Sequence, residues 1–286
     1  MEKPPDHGPE PVTPELKIYF LPNLLTAANL FCGFVALTKI VDTERSDIDS
    51  GNFKQIYWAL GFILLACIFD LFDGRVARMG GRESPFGREF DSLADLISFG
   101  VAPAFLVHRV VLRDVWSDQP AVGWFIASIY LICGAFRLAR FNCLAAMSGS
   151  GGGKEFLGFP IPSAAGLVAS LTLLMIWVQE KEFAKGYLKY VLPVLMLFLS
   201  WMMVSSVKYP TFKTMDLRAT RTFTKTLIAI LFVGAIFILQ EKILIFVLPV
   251  LFTAYLVYGF VRPRISRQMR REIEEEDEDE EDTTAF

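Results

Sequence analysis

The chain has 286 residues, of which 53% are hydrophobic, and a mean hydropathy of +0.42. The apolar residues gather in long runs, which excludes an ordinary soluble domain and indicates membrane spans. The formal charge of −3 hides a division: one terminal run, Glu272 to Asp282, is acidic except at Ile273, while basic residues flank the apolar runs, a pattern that marks topology rather than nucleic-acid binding.

Residues 1–17 are polar and proline-rich, with mixed charges. They lack the basic start and short apolar core of a cleaved signal, so the first span is expected to act as an uncleaved signal. Eight spans are predicted, at roughly 20–41, 55–78, 89–112, 121–143, 160–179, 187–207, 225–240 and 243–261. The fold expected is an all-α integral membrane protein with about eight transmembrane helices. The seventh run is short, which leaves a tilted or interfacial helix open there. Cys32, Cys67, Cys133 and Cys143 lie in or at the ends of these runs with no CxxC pair, and read as small apolar packing residues.

Lys and Arg set the orientation. Arg75, Arg78, Arg82 and Arg88 surround the second connection. Arg137, Arg140 and Lys154 surround the fourth, and Lys208, Lys213, Arg218, Arg221 and Lys225 fill the sixth. Arg262, Arg264, Arg267, Arg270 and Arg271 follow the last span. The first connection instead carries Asp42, Glu44, Asp47 and Asp49 against Arg45 and Lys54. Positive-inside bias then places both termini and the even-numbered connections in the cytoplasm, which suits eight spans. The glycine-rich loop 148–154 fails as a phosphate-binding loop, because Ser148 and Glu155 stand where Gly and Ser or Thr are required. It reads as a flexible linker, and the acidic end as a solvated tail.

Residues 70–95 carry the chemistry. Asp70 and Asp73, three apart, share one helical face near the end of the second span. Gly87, Asp91 and Asp95 share one face at the start of the third. A connection of about ten residues would make these spans antiparallel neighbours and bring four carboxylates to one depth. Each charge inside a span costs about 2.5–3.5 kcal/mol, and the carboxylates also repel one another. A divalent cation, or two, resolves both problems. All-oxygen ligation favours Mg²⁺, with Mn²⁺ or Ca²⁺ open, and two ions could clamp a pyrophosphate while one carboxylate serves as base. Gly74 and Ala77 share the face of the first acid pair, so a bulky group can approach the backbone there. Arg78 offers a fork to phosphate oxygens.

The string Asp70-x2-Asp73-Gly74-x2-Ala77-Arg78-x8-Gly87-x3-Asp91-x3-Asp95 resembles the signature of the CDP-alcohol phosphatidyltransferase family at every position. The resemblance implies a metal-dependent transfer of a phosphatidyl group from a CDP-linked lipid to an alcohol, with release of CMP. Asp70, Asp73 and Asp91 would hold metal. Asp95 would be both ligand and catalytic base, and Gly74, Ala77, Arg78 and Gly87 would line the CDP site. Four further segments resemble the serine-accepting branch: Pro22-Asn23 with Thr26 and Asn29, Ser98 to Pro103, Arg137 to Asn142, and Phe156 to Pro162. The implied substrates are CDP-diacylglycerol and L-serine, in phospholipid biosynthesis. Asn23, Thr26 and Asn29 would contact nucleotide or lipid phosphate, or bond between helices. Arg137 and Arg140 could pair with the serine carboxylate, with Asn142 orienting the substrate, although anionic glycerol phosphate would also suit those arginines.

The implied organisation is a catalytic six-helix core over 18–210, a two-helix extension over 211–262 and a cytoplasmic tail over 263–286. The resemblance also implies a homodimer in the cell membrane, and the positive-inside orientation puts the four acids on its cytoplasmic side. The nearest alternative is a relative that uses glycerol 3-phosphate, inositol or choline. An ion-coupled transporter is a distant one, since it would place acids at mid-membrane in paired, broken helices.

Overall fold

The computed structural model describes residues 20–79, 84–147, 155–181, 188–210 and 245–259. Eight helices lie within them: α1 (Phe20–Val41), α2 (Arg45–Asp49), α3 (Lys54–Met79), α4 (Pro85–Val115), α5 (Pro120–Met147), α6 (Ile161–Glu180), α7 (Val191–Val204) and α8 (Ile245–Gly259). The expected tails, the linker 148–154 and the seventh span, 225–240, fall outside the described residues.

Five helices, α1, α3, α4, α5 and α6, are long and apolar enough to cross a membrane. Many large apolar side chains on them face outward, among them Phe31, Phe34, Trp58, Phe125 and Phe136, as lipid-facing helices require. The chain is a multi-pass membrane protein. The expectation of eight spans is met only in part. Where the sixth and eighth were expected stand the shorter apolar helices α7 and α8. The 14 residues of α7 cover about 21 Å, less than the hydrocarbon thickness of about 30 Å. Beyond Val204 the backbone turns extended at Ser205. A small antiparallel ribbon joins β1 (Glu155–Leu157) to β2 (Lys208–Pro210), a departure from the purely helical expectation.

The connection between α3 and α4 is also shorter than expected. Ser84 caps α4, accepting a bond from the Gly87 amide at 3.0 Å, and Pro85 occupies the first turn. These signals start the helix before the hydropathy does, because Arg88 and Glu89 dilute its first turns. Lower down, α4 contains two π-helical stretches, Leu96–Val101 and His108–Leu112. The first leaves the Phe99 carbonyl available to the Tyr130 hydroxyl of α5, at 3.2 Å.

The core is built on close crossings at small residues, as expected where lipid supplies no hydrophobic drive between helices. α1 packs against both α3 and α4. At Gly33 a side chain would collide with the Ser98 backbone, 2.8 Å from its Cα. The same Ser98 hydroxyl donates to the Asn29 carbonyl at 3.0 Å. At Gly134 of α5 a Cβ would lie 2.6 Å from Ile161 Cδ1 of α6. α8 seats Phe252 against Gly166 and sets Phe246 edge-on to Trp177, with ring centroids 5.1 Å apart. Gly33→Leu is therefore expected to destabilise the α1–α4 crossing by about 1–3 kcal/mol, read as a lower thermal unfolding midpoint in detergent.

Candidate active site

α3 is 26 residues long, and Asp70 lies about 24 Å along it from Lys54 at 1.5 Å per residue. The acids of α3 thus sit near the end of the span opposite Lys54. The short connection to α4 returns the chain at that same end, so Asp91 and Asp95 meet Asp70. One carboxylate oxygen from each of the three lies within 4.8 Å of the others, a group that could hold a metal ion. Asp95 is buried at 6% exposure. Asp73 is buried too and lies in the electrostatic field of Asp70 and Asp91.

α1 forms the third wall. Thr26 places its hydroxyl 3.1 Å from Asp73 Oδ2 and 3.2 Å from the Pro22 carbonyl. Asn29 Nδ2 donates to Asp95 Oδ1 at 3.2 Å. Asn23 Oδ1 stands 3.3 Å from where a Cβ on Gly87 would sit, so glycine there keeps the α1–α4 gap open. Gly74 is half-buried on the acid-bearing turn of α3. Ala77 and Arg78 occupy the last turns of α3, and their side chains lie outside the described ones.

α5 closes the far side with Arg137, Arg140 and Asn142, which the structure places differently. Arg137 is buried and lies in the field of Asp95, Asp70 and Tyr255. Arg140 turns instead to backbone carbonyls. It donates from Nη1 to Val204 at 2.8 Å, and from Nη2 to Leu157 at 3.0 Å, Ser205 at 3.1 Å and Met203 at 3.4 Å. It thereby ties the end of α7 to the strand leading into α6. Beside it Gly158 takes a φ of +80°, a conformation that favours glycine. Asn142 Nδ2 donates to Ser92 Oγ at 3.0 Å and Glu89 Oε2 at 3.2 Å, linking α5 to the acid-bearing turns of α4.

Among the described residues, six buried side-chain polar atoms lack a hydrogen-bond partner. Five belong to this site: Asn23 Nδ2, Asn29 Oδ1, Asp91 Oδ1, Arg137 Nε and Asn142 Oδ1. Buried polar groups are rarely left unpaired. Their concentration around three clustered carboxylates fits a pocket that receives both a cation and a polar ligand. The donor set is all oxygen at the carboxylates and cationic at Arg137, so metal and anion each have a matching wall.

One residue escaped the sequence reading. Tyr255 of α8 interacts electrostatically with Arg137 and packs on Phe159, with ring centroids 5.8 Å apart. No motif in the last two spans could have singled it out.

A model of the CDP-alcohol phosphatidyltransferase family matches residues 19–205. The CDP-diacylglycerol–serine O-phosphatidyltransferase of Helicobacter pylori is 31% identical over 252 residues, which cover 88% of this chain and 93% of that protein. The enzyme of the same name in Bacillus subtilis is 32% identical over 194 residues, 68% of this chain and 92% of that one. The archaetidylserine synthase of Methanothermobacter thermautotrophicus is 34% identical over 192 residues, 66% of this chain and 69% of that protein.

The geometry assigns Asn29 the task of orienting Asp95. Asn29→Ala should weaken Mn²⁺ binding by on the order of 10-fold, and Asp91→Asn should weaken it further. Electron paramagnetic resonance of free Mn²⁺ during titration of the purified protein checks both.

Proposed function

The chain belongs to the CDP-alcohol phosphatidyltransferase family, and from that premise we propose that it transfers the phosphatidyl group of CDP-diacylglycerol to L-serine, giving phosphatidylserine and CMP. The observation that carries this reading is the triad of Asp70, Asp91 and Asp95, with oxygens within 4.8 Å, beside a buried arginine with an unpaired Nε. The serine assignment is supported by the relatives. Two proteins named as CDP-diacylglycerol–serine transferases and one archaetidylserine synthase differ in their lipid but share the serine in their names.

Asp70, Asp73, Asp91 and Asp95 hold the metal, as two Mg²⁺ or Mn²⁺ ions. Bound metal supplies charge neutralisation at the pyrophosphate of the CDP-lipid. Gly74, Ala77, Arg78 and Gly87 line the nucleotide side, where the absence of bulk and one guanidinium suit a diphosphate. Asn23, Thr26 and Asn29 complete that wall, and two of them also position acids.

The acceptor enters on the α5 side. Arg137 faces the serine carboxylate through its unpaired Nε, and Asn142 offers its unpaired Oδ1. Arg140 acts on the acceptor pocket indirectly, by fixing the α7 terminus and β1. Asp95 accepts the serine hydroxyl proton as the serine oxygen bonds to the lipid-side phosphorus. The bond from that phosphorus to the CMP oxygen breaks, and CMP leaves. Residues 18–210 form the catalytic core on this reading, and 211–262 the extension. An alignment of 194 residues already takes in 92% of the B. subtilis relative, which supports a core that needs no extension. The site faces the cytoplasm, as the positive-inside pattern of the connections favours, and the protein is a homodimer in the cell membrane.

The test supplies purified protein with CDP-diacylglycerol and Mn²⁺, and offers labelled serine beside glycerol 3-phosphate, inositol and choline. Serine alone is expected to enter lipid, with one CMP per product. Lipid product from another alcohol and none from serine overturns the acceptor assignment. Asp95→Asn should lower kcat by about 10²–10⁴-fold, the usual worth of a general base. Tyr255→Phe, which removes only a hydroxyl near Arg137, should raise the KM for serine by roughly 10-fold and leave that for CDP-diacylglycerol unchanged.

A further inference from the structure

At the far end of α4 from the acids is a second pocket. It is a cavity of about 420 Å³ lined by Arg45, His108, Arg109 and Arg113, with Phe105 and Trp124 among its apolar walls. Among the described residues no carboxylate lines it. Two acids stand near it: Asp49 pairs at 3.7 Å with Arg45, itself a lining residue, on the exposed surface, and Asp114 pairs with Lys189 at 3.7 Å. Arg109 is held from one side, donating from Nη2 to the Thr43 carbonyl, while its Nε is buried without a partner. That atom is the sixth of the unpaired buried polar atoms, and the one outside the candidate active site. The His108 ring lies between Phe105, at 6.3 Å, and Trp124, at 4.7 Å, so the lining combines aromatic rings with arginines.

Arg45 shares its charge with Asp49, but Arg109 and Arg113 line the same pocket and neither has an ion pair among the described residues. Like charges there repel one another, and an anion between them relieves that repulsion. Their position makes the arrangement more pointed. With the carboxylates on the cytoplasmic side, as proposed above, these arginines lie toward the outer face, where positive-inside bias works against them and a local task would favour them. A pocket that joins arginines to aromatic rings toward the end of a span matches an amphiphile with a phosphate at its head. Arginine forks suit phosphate oxygens, and tryptophan is at home at headgroup depth.

We propose that this pocket binds the phosphate headgroup of an anionic phospholipid of the outer leaflet, held by Arg109 and Arg113 with its glycerol end against Trp124 and Phe105. Arg109 and Arg113 lie 14 and 18 residues beyond Asp95 along α4, about 21 and 27 Å at 1.5 Å per residue, so the site is separate from the substrate site.

The test uses the purified full chain in detergent, with native mass spectrometry and thermal unfolding as readouts. Added phosphatidylglycerol is expected to stay bound and raise the unfolding midpoint. Phosphatidylcholine should do so several-fold less effectively, and inorganic phosphate at millimolar concentration should not compete. Arg109→Gln with Arg113→Gln should reduce phosphatidylglycerol retention at least 10-fold while CMP release persists, which reports that the variant is folded. If the double variant does not fold, Arg113→Gln alone, at an exposed side chain, should still reduce retention several-fold. Equal retention by wild type and either folded variant overturns the proposal. So does equal binding of the two lipids, or displacement by inorganic phosphate, which would make the site one for free anions.

Discussion

Mutual repulsion among buried and half-buried carboxylates is the constraint around which this molecule is arranged. Asp70, Asp91 and Asp95 crowd into less than 5 Å, with Asp73 buried beside them. Within a span such a group is costly unless a cation enters and every remaining oxygen is held. The surrounding helices can be understood as answers to that demand. α1 brings Thr26 and Asn29 to two of the acids. α5 brings Arg137 into their field. The close contact of Gly33 with Ser98 draws α1 near enough to α4 for Asn29 to reach Asp95. Thus a packing detail well inside the span sets the geometry of a polar site near its end.

The acids themselves were legible in the sequence because helical periodicity is local. Spacings of three and four residues place side chains on one face whatever else the chain does, and a short connection then forces the two faces together. The family signature is legible for the same reason, since it runs through one helix pair. Thr26 and Asn29 were visible as polar residues in an apolar run, but their partners lie 47 and 66 residues away. No local pattern encodes such distances, and contact with substrate was as good a reading as contact between helices. Here they hold acids.

The arginines of α5 illustrate the limit more sharply. Arg137 and Arg140 are one helical turn apart, and charge alone cannot distinguish them. One is buried beside the carboxylates, and the other is consumed by four backbone carbonyls at the end of α7. Which is which depends on where α7 stops. Hydropathy expected a longer span there and did not see the turn to extended backbone at Ser205. Tyr255 was hidden for a related reason: it belongs to a helix whose importance comes from where it docks, against Gly166 and Phe159, and composition gives no hint of that.

The π-helical stretches of α4 have a consequence for how this helix can vary. Each widened turn accommodates about one residue more than an α-helical turn would, and one residue corresponds to about 100° of rotation. The stretch from Leu96 to Val101 lies directly after Asp95. It therefore acts as a phase joint, so that the segment bearing the acids and the segment bearing Arg109 and Arg113 point in directions set separately. Removing a single residue from that stretch would not merely shorten the helix. It would swing one half's polar face toward lipid while leaving the other in place. Comparisons among relatives should accordingly find that gaps and insertions within this helix fall at the joint, and that the two halves drift in sequence as though they were separate elements.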